Sequence, residues 1–276
     1  SLYLASVLLL FCTESVKAQS CSEVTKPEWE WNSHSNWFFG NGILADFGTS
    51  GMEFSNTTSA TATHLGYEGT STVSDDNGNL LYYTNGVNIW GANNVILNHS
   101  VTSTPCQLLA GTENGVTTGT SSNQGVMFVK HPQNQTKIYV FTNDDQKTST
   151  KNGFNVWEIN TLNHEVTGPT RLVDEYGNDY ATGEHMDATF ASNGIDIWIA
   201  TVRSYTDDHI TIDEPGTKYI YAYKIDVDKV INTPVLTELP PEKIDGTDYL
   251  FQAYSSEDTY LKEHFGDRGS LNFSGS

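Results

Sequence analysis

Three short stretches carry side chains that could do chemistry. Ser74-Asp75-Asp76-Asn77-Gly78-Asn79 gathers carboxylate and amide oxygens around a glycine. That is the make-up either of a calcium-holding loop or of a tight hairpin corner. His185-Met186-Asp187 places an imidazole and a carboxylate two residues apart, so on a strand both face one side. Asp207-Asp208-His209 offers the same ligand types within the polar stretch 204–216. A calcium loop needs several converging oxygens. Asp75, Asp76 and Asn79 supply some, without a downstream Glu at calcium-loop spacing. The turn reading asks only for Asn77-Gly78, two residues that tolerate positive φ. The turn is therefore the better account, with Ca2+ the cation that Asp75 and Asp76 would take under the other. His185 and Asp187 are candidate metal ligands, against the plainer reading of a buried hydrogen bond. The fold requires no cofactor.

Other chemistries fare worse. No Gly-x-Ser-x-Gly elbow is present to activate a serine. Paired carboxylates for glycoside hydrolysis could be drawn from 34 Asp and Glu residues. An anionic sugar would also need an arginine cluster, and Arg171, Arg203 and Arg268 stand in unrelated contexts. Trp29, Trp31, Trp37, Phe38 and Phe39 could stack on sugar rings, or Trp37-Phe38-Phe39 could be the innermost strand of a first sheet. The two readings stand side by side.

The elements that must position these residues are strands. Aromatic residues make up 12% of the chain and charged residues only 17%, with Thr, Ser, Asn and Gly filling the difference. That mix suits short pleated strands joined by polar turns. The net charge of −20 repels phosphate backbones and anionic bilayers, so neither nucleic acid nor a membrane surface is an expected partner. Leu2–Cys12 is an apolar run too short to span a bilayer, and Val16-Lys17-Ala18 follows with small residues at −3 and −1. Residues 1–18 thus have the anatomy of a secretory signal peptide, without its basic front, and no membrane insertion is expected after its removal. Residues 19–35 read as a lead-in, and export makes the protein secreted or displayed on the outer cell surface. Cys21 and Cys106 could pair in an oxidising compartment or remain thiols.

Four segments share one layout, a polar turn followed by a dense aromatic run: Asn79-LLYYTNG, Thr136-KIYVFTND, Ile195-DIWIATVR and Asp248-YLFQAYS. Their turn positions, 79, 136, 195 and 248, lie 57, 59 and 53 residues apart. A second series, around Trp90, Trp157 and Tyr223, interleaves at spacings of 67 and 66 and reads as strand–turn–strand. Runs such as Ile138-Tyr-Val-Phe141 are apolar on both faces, as a strand covered on both sides must be. Four strands per repeat, stacked on their neighbours, predict an all-β chain: a β-propeller of four-stranded blades over residues 36–276. Four to five blades are expected, as a fragment of a larger ring.

With that repeat in place a resemblance emerges. Asn36-Trp-Phe-Phe-Gly-Asn-Gly-Ile-Leu-Ala-Asp-Phe47, Ser74-Asp-Asp-Asn-Gly-Asn-Leu-Leu-Tyr-Tyr-Thr-Asn-Gly86, Ser121–Pro132 and Lys137–Thr142 resemble the N-terminal region of large secreted proteins of gliding-type Gram-negative bacteria. The likeness covers roughly residues 36–225 and departs where Gly66-Tyr-Glu-Gly-Thr lacks a following Cys and where the loop 102–120 is long. It implies a propeller at the front of an adhesin-like protein exported by type IX secretion. The corresponding role is a non-catalytic binding or structural scaffold for a protein or glycan ligand at the cell surface. The alternative is a propeller glycoside hydrolase or lectin acting on polysaccharide.

Overall fold

The computed structural model describes residues 35–40, 42–47, 51–56, 69–108, 122, 124–144, 152–203, 218–239, 243–244 and 247–248, and every regular element among them is a strand. The first sheet joins β1 (Asn36–Phe38), β2 (Ile43–Asp46) and β3 (Glu53–Asn56). The second joins β4 (Ser71–Ser74), β5 (Leu80–Thr84) and β6 (Ile89–Gly91). The third runs β8 (Val126–Lys130), β9 (Lys137–Thr142), β10 (Asn155–Asn160) and β11 (Glu165–Arg171), with β7 (Asn98–His99) added outside β11. The fourth is β12 (Thr182–Phe190), β13 (Ile197–Arg203), β14 (Lys218–Ile225) and β15 (Val235–Leu239). A further pair, β16 (Lys243–Ile244) and β17 (Thr247–Asp248), forms a two-stranded antiparallel sheet.

Within each sheet the strands follow chain order as an antiparallel meander; only β7 pairs in parallel, through Asn98↔Glu165 and His99↔Val166. The sequence repeat maps onto this order. Its aromatic runs are β5, β9 and β13, the second strand of successive sheets, and its interleaved series supplies the third strands β6, β10 and β14. The fourth copy begins at β17, and its continuation lies outside the described residues, as do the signal segment 1–18, most of the lead-in, Cys21, Trp29, Trp31 and Arg268. The expectation of four antiparallel strands per unit holds for the fourth sheet and for β8–β11 of the third, to which β7 adds a fifth strand in parallel; among the described residues the first two sheets show three. In the second sheet the fourth position is taken by an isolated bridge, Trp90↔Ile96, in place of a full strand.

Two-sided burial explains the dense runs. Along β9, Ile138 and Val140 pack toward Tyr82, Ile89 and Leu97 of the second sheet region, together with Trp157 and Ile159 of β10. The alternate residues Tyr139 and Phe141 pack the other way, against Ile197, Ile199, Tyr221 and Tyr223 of the fourth sheet. The second sheet divides likewise, with Tyr82 and Ile89 on one side and Tyr83 and Trp90 on the other, against Phe38 and Leu44 of the first. Because side chains alternate with period two, the second and third sheets each feed two cores, and their central strands are apolar on both faces. At roughly 25 cal/mol per Å2 of apolar surface removed from water, this stacking is the main source of stability.

The first strands of successive sheets also meet: β1 lies beside β4, β4 beside β8, and β8 beside β12. They do not merge into one ladder. Side chains lace them instead. Thr70 Oγ1 donates to the Phe38 carbonyl (2.7 Å), Thr72 Oγ1 to the Asn36 carbonyl, and Asn36 Nδ2 to Ser74 Oγ (3.0 Å) and the Gly78 carbonyl (2.8 Å). Phe128 N donates to Ser71 Oγ (3.3 Å), and Gln124 bridges to β12 through the Glu184 carbonyl (3.2 Å) and Met186 N (3.3 Å). Replacing Thr72 by Val keeps the shape but removes the donor to the carbonyl of the buried Asn36. The expected cost is about 1 kcal/mol in a denaturant titration, with the m-value unchanged.

Candidate functional site

Asp75 closes the corner between β4 and β5. Its Oδ1 accepts from Asn77 N (2.9 Å) and Asn79 N (2.8 Å), its Oδ2 from Asn79 Nδ2 (2.9 Å), while Asp75 N bonds the Asn79 carbonyl (2.8 Å). Gly78 sits at φ 86°, the conformation that the Asn-Gly signal demanded. Burial alone would raise the Asp75 carboxyl. The donors from the Asn79 side chain and from the Asn79 and Asn77 backbones, with the Lys130 charge, outweigh it and hold the group below its ordinary value. Asp76 points elsewhere, to Lys130 Nζ at 2.9 Å. The two carboxylates therefore serve different partners: one organises a turn, the other ties that turn to β8.

The same wiring appears a second time. Asp174-Glu175-Tyr176-Gly177-Asn178 leads into β12, and Asp174 Oδ1 accepts from Tyr176 N (2.9 Å) and Asn178 N (2.7 Å) around Gly177 at φ 83°. Asn134, Asn193 and Asp226 cap other corners by accepting backbone N–H groups two or three residues on. At the β8–β9 corner His131 Nδ1 accepts from Gln133 N (3.2 Å) and Asn134 N (3.0 Å). Burial, and then the Lys137 charge, lower the pKa of that imidazole.

His185 and Asp187 lie on β12 on either side of Met186, which is wholly buried in the core between the third and fourth sheets. His185 is buried and its carbonyl accepts from Thr201 Oγ1 (2.8 Å), whereas Asp187 Oδ1 caps Ala188 N (2.9 Å). No third His, Cys, Asp or Glu joins them in a metal-sized group among the described residues. Asp207-Asp208-His209 lies outside the described residues.

Around the entry to β12 the chain buries a polar set that the sequence reading did not single out: Ser122, Asn143, Asp144, Thr182 and Glu184. Asp144 accepts from Asn152 N (2.6 Å), Gly153 N (2.8 Å) and Thr182 N (3.3 Å), and its own N–H donates to Thr182 Oγ1 (2.8 Å). It thus pins the connection after β9 to the first strand of the next sheet. Ser122 Oγ donates to Asn143 Oδ1 (2.9 Å). An amide oxygen cannot take up that proton, so this contact positions the serine without activating it. The repeated Thr-Asn at the end of the second strand, Thr84-Asn85 and Thr142-Asn143, was the available signal for this end of the sheets.

The described arginines serve locally. Arg203 donates to the Tyr221 hydroxyl (2.7 Å), lies over the Tyr180 and Tyr221 rings and sits 3.8 Å from Asp174. The Tyr223 hydroxyl bonds the Val173 carbonyl (2.7 Å) and the Tyr180 hydroxyl (2.7 Å), and burial raises all three phenols. Arg171 pairs with Asp179 at 3.3 Å.

Among the described residues an open cleft of about 360 Å3 lies between the first and second sheets. Asn36, Asp46, Ser55, Asn56, Asn79 and Asn94 line it, over Leu44 and Leu80. Asn36 and Asn79 are held by the bonds given above, and Asn94, at φ 62°, accepts the Tyr83 hydroxyl (2.8 Å). Comparison with protein-family models, curated proteins and solved structures returns no match for the chain.

Three outcomes follow from the corner and the core. Asp75→Ala should cost about 1 kcal/mol at neutral pH, whereas Asp76→Ala, which breaks an exposed pair, should cost under about 0.5 kcal/mol. Because the folded pKa of Asp75 is lowered, its contribution is present above the ordinary value of 3.8 and is lost as pH falls through the folded value, so Asp75→Asn should flatten the acid limb of a Tm–pH curve. Cys106 is a free thiol, 1% exposed, which burial pushes up to about 12. In a Cys12→Ser/Cys21→Ser background it should stay unreactive to an aromatic disulfide reagent until the protein is unfolded.

Proposed function

We propose that the chain is a β-propeller module of an exported, adhesin-like surface protein, and that it binds rather than turns over its ligand. The observation that carries this reading is the arrangement of the first strands. Chain-order meanders stack face to face while β1, β4, β8 and β12 lie side by side, as blades do around an axis. Asn36, Ser74, Asp144 and Thr182, all buried, are spent on turns and on joints between sheets, which is how a rigid scaffold uses polar groups. The resemblance of Asn36–Phe47 and Ser74–Gly86 to the front of secreted surface proteins supports export and a role outside the cell.

The ligand class follows from the cleft. Ser55 and Asn56, with the amide of Asn79, offer donors and acceptors to hydroxyl groups, and Leu44 and Leu80 add apolar lining for the edge of a sugar ring. The net charge of −20 turns away anionic ligands at long range. Asp46 is the single carboxylate among the described lining residues. Glycoside hydrolysis uses two carboxyl groups across the scissile bond, so this lining favours a lectin-like role over a hydrolase. A screen on an array of neutral glycans should find ligands, Asp46→Ala and Asn56→Ala should abolish binding without lowering Tm, and chromogenic glycosides should not be turned over. Turnover that disappears with one carboxylate change would overturn the reading in favour of the enzyme.

A further inference from the structure

Histidine rings hold two loops that border the third sheet. His99 ends β7, the short strand that pairs with β11. Its Nε2 lies 2.7 Å from the Gly168 carbonyl, which can only accept, so Nε2 carries a proton. Val101 N donates to its Nδ1 (3.2 Å), so Nδ1 carries none. The two bonds together fix one tautomer of a neutral imidazole. The buried His131 closes the corner between β8 and β9, where its Nδ1 accepts from Gln133 N (3.2 Å) and Asn134 N (3.0 Å). Its ring stacks on Tyr139 at 5.7 Å between centroids, and Tyr139 belongs to the core shared by the third and fourth sheets.

We propose that His99 and His131 are acid-sensitive latches at the two borders of the third sheet, each holding its loop only while the imidazole is neutral. A ring nitrogen that accepts backbone N–H groups must give up those bonds when it takes a proton, since an imidazolium donates from both nitrogens. Elsewhere the chain does the same work with amides, which do not change charge. Asn134 and Asn193 accept N–H groups two or three residues on at their own corners. Histidine at 99 and 131 therefore adds a pH response to a device that works without one. The surroundings set its direction. His131 feels Lys137 of β9, Glu158 of β10, and Asp226 and Asp228 after β14, the carboxylates favouring the proton. Burial, and then the Lys137 charge, outweigh them and lower its pKa. Its contribution is thus present above the ordinary value of 6.5 and lost as pH falls through the folded value. Around His99, β11 carries Glu165 and Arg171, the preceding turn His164, and β5 Tyr82. Glu165 accepts from Asn163 Nδ2 (2.8 Å), and Arg171 pairs with Asp179 (3.3 Å). The contact of Tyr82 with His164 is a built-in reference. Burial pushes that phenol up to about 12, so it keeps its proton, and a hydroxyl can donate to a neutral ring nitrogen or accept from a protonated one. Mild acid should therefore open the two loops at the rim while the apolar cores stay shut.

Hydrogen exchange of the full chain, read residue by residue by NMR and corrected for the intrinsic pH dependence of exchange, tests this between about pH 8 and 5.5. Protection at Val101, Gln133 and Asn134 should fall about fivefold, the scale of one lost hydrogen bond, while Val140 keeps its protection. His99→Asn and His131→Asn put an amide oxygen in place of Nδ1. Each should make its own loop insensitive to pH and leave the other loop responsive. Protection that is flat with pH in the unaltered chain, or that changes just as much in the Asn variants, would overturn the proposal. Ring 15N shifts of the unaltered chain give a check that does not depend on any variant folding. Near neutral pH both Nδ1 atoms should read as unprotonated, and an Nδ1–H at either ring overturns the latch there.

Discussion

Each central strand has to satisfy two hydrophobic neighbours at once. β9 shows this most plainly: Ile138 and Val140 belong to one core, Tyr139 and Phe141 to the next, and all four are almost completely buried. A strand exposed on one side would tolerate polar residues at every second position; from Ile138 to Phe141 this one has none. A slip of one residue would exchange the contents of two cores rather than turn an apolar face to water. Register must then be set by shape and by turns. The hairpin corners carry that burden, so their chemistry is as much a part of the fold as the cores.

The abundance of Asn and Asp is explained at those corners. Asp75, Asn134, Asp174, Asn193 and Asp226 each direct a side-chain oxygen back to backbone N–H groups. The carboxylates at 75 and 174 do this with no cation inside the loop, since the N–H dipoles supply the partner, whereas Asp226 has Lys229 in its own turn as well. These three carboxylates, of 34 Asp and Glu in the chain, are thus local architecture. Acidity that looked like a cation-binding tendency is accounted for at Asp75 by hydrogen bonds to its own loop.

Much of the architecture was legible from residue types. The runs at 80–84, 137–142 and 197–203 announced themselves as strands covered on both sides, and Asn77-Gly78 announced its turn. Strand number per repeat was not legible, because pairing at a sheet's outer edge depends on where loops can reach. β7 has two residues and joins a neighbour's sheet in parallel, which no local pattern encodes. The polar joints were equally hidden. Asp144 and Thr182 are 38 residues apart in sequence, and neither sits in a motif. Asp174 was within reach, since Asp-x-x-Gly-Asn occurs at both 75–79 and 174–178. The cleft could not be foreseen, because Asn36, Asn56, Asn79 and Asn94 converge only after two sheets have met.

The short parallel pairing of β7 with β11 has a mechanical consequence. The chain leaves the second sheet, lends two residues to the rim of the third, and returns through Cys106 and Leu108 to the core between the two. Ser100 N extends the hold to the Val166 carbonyl, and the Tyr82 hydroxyl meets His164 Nδ1 at 2.7 Å from below. The second and third sheets are therefore stitched at the perimeter as well as glued at the interface. Pulling them apart means breaking a row of parallel bonds in shear before any oily surface opens, so a tug on this chain should be resisted most stiffly at that rim.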